Sequence, residues 1–140
     1  MSSPAVKGLN HVTLAVSDLD QSFAFYQQTL GFRPRARWSK GGYLTAGQFW
    51  LALIVQEDRQ PAAAQDYTHF ALSVSEADFE QMRAAIENAG SRAWSENRSE
   101  GASHYFVDPD GHQLEIHVGD IETRLAAMKR DPWEPIEFFD

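Results

Sequence analysis

The stretch Leu9-Asn10-His11-Val12-Thr13-Leu14-Ala15-Val16-Ser17 returns 58 residues on as Thr68-His69-Phe70-Ala71-Leu72-Ser73-Val74-Ser75. In both copies a histidine opens an alternating apolar run. An amphipathic helical run follows, over residues 22–30 or 77–89, and Gly31 or Gly90 closes it. Self-similarity at a fixed spacing predicts two copies of one supersecondary unit. With 140 residues, 43% of them hydrophobic, the chain is long enough for one domain built of two small modules, not for two independent domains.

The alternation over residues 9–16 predicts a strand, and Asp18 and Gly31 are placed as N-cap and C′ residues of the helix after it. Three segments rich in aromatic and β-favouring residues come next, 32–38, 43–46 and 49–55, separated by Gly41-Gly42 and Gly47. The order is β-α-β-β-β. Residues 56–66, with Pro61 and an alanine run, form a linker. The second copy then predicts a strand at 69–74, a helix from about Glu76, and strands at 91–94, 103–107 and 113–118. Asp108-Pro109-Asp110-Gly111 carries a turn signal, with Pro second and Gly fourth. A short helix at 121–129 and an aromatic tail, 133–139, complete the chain. The expected class is α+β. Two tandem βαβββ modules, about 8–56 and 67–120, form cupped, barrel-like mixed sheets in a single domain, 1–140, followed by a helix and tail at 121–140.

The net charge of -8 and a pI near 5.0 exclude a phosphate-binding surface of the nucleic-acid type, which needs clustered Lys and Arg. No apolar stretch is long enough to span a membrane, and residues 1–7 do not read as a secretory signal, so a cytoplasmic home is expected. Without cysteine the chain has neither a disulfide framework nor a thiolate nucleophile of its own.

Residues two apart on a strand share a face. Val12, Leu14 and Val16 can therefore cover the first helix while His11, Thr13 and Ala15 face away. Phe70, Leu72 and Val74 repeat the pattern opposite His69, Ala71 and Ser73. On the last strand Leu114, Ile116 and Val118 oppose Gln113, Glu115 and His117. Two imidazoles and a carboxylate on faces not used by helices make a three-ligand set that suits a divalent first-row metal with open coordination positions. From the residues alone, His117 competes with Glu115 for the third place.

These motifs resemble the vicinal oxygen chelate superfamily and, within it, the FosA family of metal-dependent fosfomycin glutathione transferases. The resemblance runs from Gly8 to about Lys129. It rests on Leu9 to Val16, Asp66-Tyr67-Thr68-His69, Asn97 to Phe106, and Asp108-Pro109-Asp110-Gly111-His112 with Glu115 and His117-Val118-Gly119. It implies that His11, His69 and Glu115 are the Mn2+ ligands, in a homodimer whose metal sites are completed across the two subunits. It implies a K+ activator held by the loop of Asn97, Ser99, Gly101 and Ser103. Thr13, Ser99, Tyr105 and Arg124 match positions around the phosphonate and epoxide oxygen of the antibiotic. Trp50 and Tyr67 match pocket-wall aromatics, and Tyr43 matches the tyrosine linked to glutathione and its thiol. Thr13, Tyr43 and Arg124 are thus the candidate catalytic residues, with fosfomycin and glutathione as the substrates and no nucleic-acid or membrane partner.

The chain departs from the family pattern at Ser95, where a lysine commonly reaches the phosphonate, and at Ala52, where a cysteine is frequent. Losing one charge-assisted hydrogen bond costs about 1.5–3 kcal/mol, and Arg98 or Lys40 could supply the missing cation. A fosfomycin epoxide hydrolase, a bacillithiol-using transferase, a paralogue acting on another epoxide or phosphonate, an Fe2+ dioxygenase and a non-catalytic antibiotic-binding protein are the alternatives within this fold.

Overall fold

The structure, a computed structural model, describes residues 3–60 and 66–139; Pro61 and the alanine run of the expected linker lie outside the described residues. Two compact units emerge. One comprises the described residues of Met1–Ala63 together with Asp108–Gly111, the other those of Ala64–Val107 and His112–Asp140.

In the first unit, β1 (His11–Val16) runs parallel to β4 (Phe49–Val55), which pairs antiparallel with β3 (Gly41–Ala46), itself antiparallel to β2 (Arg33–Trp38). The sheet order is β1-β4-β3-β2. Helix α1 (Leu19–Ala24) starts where its cap predicts, with the Asp18 carboxylate accepting from the Gln21 N–H at 3.1 Å. It then widens into a π-helical turn, Phe25–Thr29, in which the Leu30 N–H donates to the Phe25 carbonyl five residues back. Gly31 ends it at φ +80°. Phe23 of α1 lies so close to β3 that a Cβ on Gly42 would stand 2.8 Å from its ring. Leu14, Val16, Phe23, Tyr26, Leu44, Leu51 and Leu53 form the core of this unit.

The turn Asp108–Gly111 anchors the first unit although it follows β6 (Ser103–Val107) in the chain. Asp110, 1% exposed, accepts from the Ser17 N–H with both oxygens at 3.1 Å and from the Ser22 hydroxyl at 3.4 Å, with Arg59 Nε 3.6 Å away. Tyr26, fully buried, donates to Asp108 Oδ2 at 2.6 Å. Burial first, and then the negative charge and hydrogen bond of Asp108, push the Tyr26 phenol well above its ordinary range, so it remains the donor.

In the second unit β5 (Phe70–Ser73) runs parallel to β7 (Gln113–His117), which pairs antiparallel with β6, giving the order β5-β7-β6. α2 (Phe79–Asn88) and α3 (Ile121–Arg130) complete it. The strand expected at 91–94 joins no ladder among the described residues. Side chains tie the segment down in its place. Ser91 Oγ donates to the Val107 carbonyl at 2.7 Å and accepts its N–H at 3.1 Å, and Trp94 Nε1 donates to the Leu114 carbonyl at 3.0 Å. The second copy of the repeat therefore has one strand fewer than the first. The expected α+β class with two mixed sheets is what the chain forms.

His104 of β6 stacks on Phe106, with centroids 6.0 Å apart, and its Nε2 is buried without a hydrogen-bond partner among the described residues. Burial lowers its pKa, which means that the fold favours the neutral ring. A group depressed in the fold costs stability as pH falls through its unfolded value, about 6.5 for imidazole. Thermal melts between about pH 7.5 and 5 should show a decline in melting temperature that is shallower in His104→Leu. Equal slopes in the two proteins would remove His104 from the acid response.

Candidate active site

β5 and β7 lie side by side in register, and this pairing brings two candidate ligands together. Ala71 is the partner of Glu115, so His69, just before the strand, reaches the same face. His69 Nδ1 lies 2.7 Å from the Tyr67 carbonyl. A carbonyl only accepts, so Nδ1 carries a proton, and Nε2 is the ring nitrogen turned toward Glu115. That nitrogen lies 3.1 Å from Glu115 Oε1. An imidazole nitrogen and a carboxylate oxygen at this spacing form a donor pair that suits a divalent first-row cation. Glu115 is only 5% exposed, and a buried carboxylate needs partners of this kind. Its other oxygen, Oε2, accepts from Ser103 Oγ at 2.6 Å.

His11 belongs to the first unit, at the start of β1, and is prepared in the same way. Asn10 Oδ1 lies 2.8 Å from Nδ1, which places a proton there and turns Nε2 away from Asn10. The indole of Trp50, its partner in β4, packs on the imidazole with centroids 4.4 Å apart. Among the described residues no three His, Asp or Glu side chains gather into a metal cage within one chain. His117, the competitor for the third place, has both ring nitrogens engaged. Nδ1 lies 2.6 Å from Ser103 Oγ, and Nε2 lies 3.4 Å from Glu100 Oε1 and from Arg124 Nη2.

Rings enclose His69. Its centroid stands 4.9 Å from Tyr67, 5.1 Å from Trp94 and 5.8 Å from Tyr105. Burial, followed by a hydrogen bond with Tyr67 and the charge of Glu115, raises the Tyr105 phenol above its ordinary value, so its hydroxyl keeps its proton. A cavity of about 330 Å³ opens beside these residues, lined by Tyr67, Ser95, Glu96, Arg98, Ser99 and Tyr105. Arg98 is the cation of that lining. Lys40, the other candidate substitute, pairs with Glu57 in the first unit.

Arg124 of α3 donates through Nε to Glu100 at 3.0 Å and lies 3.4 Å from Ser99 Oγ through Nη2. The polar loop is self-organised: Asn97 Oδ1 accepts from the Ser99 N–H and hydroxyl, both at 3.0 Å, and its amide donates to the Gly101 carbonyl at 2.8 Å. Gly101 is required there, since at φ +77° an added Cβ would stand 2.4 Å from the Val118 carbonyl. Thr13 lies exposed on β1, opposite Ala52 of β4. Tyr43 of β3 sits edge-on between Trp38 and Trp50, at 4.9 and 5.3 Å. Trp50 Nε1 is buried with no hydrogen-bond partner among the described residues, so its donor is available.

Three residues with no assigned role in the sequence reading stand out. Asn10 sets the His11 tautomer, Glu100 orients Arg124, and Trp94 packs on His69. Asn10 carries a usable signal, an amide beside a candidate ligand. Glu100 and Arg124 are 24 residues apart, and only the folded loop reveals that pair.

Residues 8–116 match the Glyoxalase/Bleomycin resistance protein/Dioxygenase superfamily. The chain is 49% identical to the glutathione transferase FosA of Serratia marcescens over 135 residues, which is 95% of this chain and 96% of that protein. It is 37% identical to the metallothiol transferase FosB of Shouchella clausii over 130 residues, 89% of each. Among solved structures, it is similar to the fosfomycin resistance protein FosX of Listeria monocytogenes in complex with Mn(II) and sulfate. The TM-score is 0.78 at 27% identity, covering 88% of this chain and 98% of that one. The chain therefore belongs to the Glyoxalase/Bleomycin resistance protein/Dioxygenase superfamily and, within it, to the family of the FosA glutathione transferases.

Proposed function

We propose that this protein is a metal-dependent transferase that opens the epoxide of fosfomycin with the thiol of glutathione and so confers resistance to the antibiotic. The observation that carries the reading is Nε2 of His69 facing Glu115 Oε1 at 3.1 Å, in a chain 49% identical to a glutathione transferase FosA. His69 and Glu115, with His11 of the partner subunit, would hold the metal in a two-fold dimer with two sites. Mn2+ is the natural candidate, since a FosX protein of the same fold binds Mn(II). When bound, the metal supplies Lewis-acid stabilisation of the oxygen charge that develops as the ring opens.

The remaining chemistry falls to side chains. Arg124, held by Glu100, together with Ser99 and Tyr105 and with Thr13 of the partner subunit, binds the phosphonate and epoxide oxygens. Arg98, in the same cavity as Ser95, supplies the cation that the family's lysine provides elsewhere. Tyr67, together with Trp50 of the partner subunit, walls the pocket. Tyr43 accepts or orients the thiol proton, since free thiol is only a few per cent thiolate near neutral pH. The sulfur then forms a bond to an epoxide carbon, the C–O electron pair passes to oxygen, and the thiol proton ends on the new hydroxyl. Aligning sulfur and carbon within one pocket lowers the barrier further. Asn97, Ser99, Gly101 and Ser103 offer carbonyl and hydroxyl oxygens, which are hard ligands suited to K+. Among the described residues no helix is long and apolar enough to cross a membrane, and a cytoplasmic location fits the use of glutathione.

The test is 31P NMR of fosfomycin with the purified protein, Mn2+ and K+, with and without glutathione. A phosphonate adduct that forms only with glutathione is expected. A diol formed without thiol would make the protein a hydrolase, and unchanged antibiotic in both tubes would overturn the substrate.

A further inference from the structure

Ser103 and His117 face each other as cross-strand partners of β6 and β7, and Glu115 lies two residues before His117 on the same face. One hydroxyl meets both neighbours at 2.6 Å, Glu115 Oε2 on one side and His117 Nδ1 on the other. A hydroxyl has a single proton, and an ionised carboxylate can only accept. The Ser103 proton therefore goes to Glu115, and the His117 Nδ1–H donates to Ser103 Oγ. The far side of the His117 ring is held as well, by Glu100 and Arg124, each 3.4 Å from Nε2.

We infer that Ser103, oriented by His117, is a positioning residue that acts through Glu115: by occupying Oε2 it leaves Oε1 alone to face His69 and a cation. This rests on the reading of Glu115 as a metal ligand. A charge-assisted O–H···O bond of this length is among the stronger hydrogen bonds in proteins. It prevents the carboxylate from swinging round to offer both oxygens. Outer-shell partners of this kind commonly affect metal affinity by about 10- to 100-fold. The role differs from membership of a potassium loop, because it does not depend on K+ being present.

The experiment is a Mn2+ titration of the metal-free protein followed by the EPR signal of free Mn2+, in tetramethylammonium buffer and again with K+. Ser103→Ala should weaken Mn2+ binding by about 10- to 100-fold in both buffers. It should also alter the spectrum of the bound ion, because Glu115 is released. Ser103→Thr keeps the hydroxyl on a strand that tolerates branching and should restore most of the affinity, which separates positioning from a general loss of structure. Wild-type affinity of Ser103→Ala in the K+-free buffer would overturn the inference while leaving the metal reading intact. A wild-type protein that takes up no Mn2+ would overturn both.

Discussion

Glu115→Gln should melt no lower than the wild type when metal-free at about pH 8, yet lose roughly 1,000-fold in glutathione-transfer rate, or about 4 kcal/mol of transition-state stabilisation. The two effects share one cause. In the wild type His69 Nε2 and Glu115 Oε1 lie 3.1 Å apart. A glutamine in place of Glu115 can accept from Ser103 with its oxygen and donate from its amide to His69 Nε2, so both contacts of the carboxylate are kept as hydrogen bonds in the metal-free protein. The same amide caps the lone pair and removes the charge that a divalent ion needs. Thermal melts with and without Mn2+, beside single-turnover assays, separate the two effects. A metal-free variant that melts well below the wild type would show that His69 and Glu115 form an ordinary structural ion pair.

Asp110→Ala carries the largest stability cost, about 3 kcal/mol, because it removes a buried charge whose partners cannot reach water. The Ser17 N–H loses both of its acceptors, the Ser22 hydroxyl loses its partner, and Arg59 loses the carboxylate at 3.6 Å. For a chain of this size the melting temperature should fall by roughly 10 °C. Asp110→Asn keeps one acceptor oxygen and should lie between the two. Urea unfolding of the three proteins would give the order directly, and an Ala variant as stable as the wild type would mean that the carboxylate only fills space.

The sequence made some of these groups visible and hid others for identifiable reasons. His11 and His69 could be paired because a strand fixes side-chain parity and the repeat aligns the two strands. The Asp18 cap and the closing glycine Gly31 were readable because helix ends depend on a few adjacent residues. The choice between Glu115 and His117 could not be made from parity, which puts both on one face. It came from the family resemblance, and in the fold Ser103 Oγ meets both side chains at 2.6 Å. The segment at 91–94 has the composition of a strand, but Ser91 and Trp94 bind backbone groups of β6 and β7 through their side chains, and no periodicity encodes that. The π-helical turn at Phe25–Thr29 was likewise hidden inside an ordinary amphipathic pattern, because the buried Phe23, Tyr26 and Leu30 keep the three- and four-residue spacings of an α-helix.

The clasp at Asp108–Gly111 also affects how the chain matures as it is made. Ser17 and Asp110 are separated by 93 residues, so the first unit is not contiguous in the order of synthesis. When Gln60 has been polymerised, the strands and helix of that unit are all present but Ser17, Ser22 and Tyr26 still lack their carboxylates. At about 5–20 residues per second the ribosome needs roughly 3–10 s more to deliver them. During that interval the first copy of the repeat waits for a turn carried by the second, so the two halves of this chain mature as one polypeptide and not as a pair of separable modules.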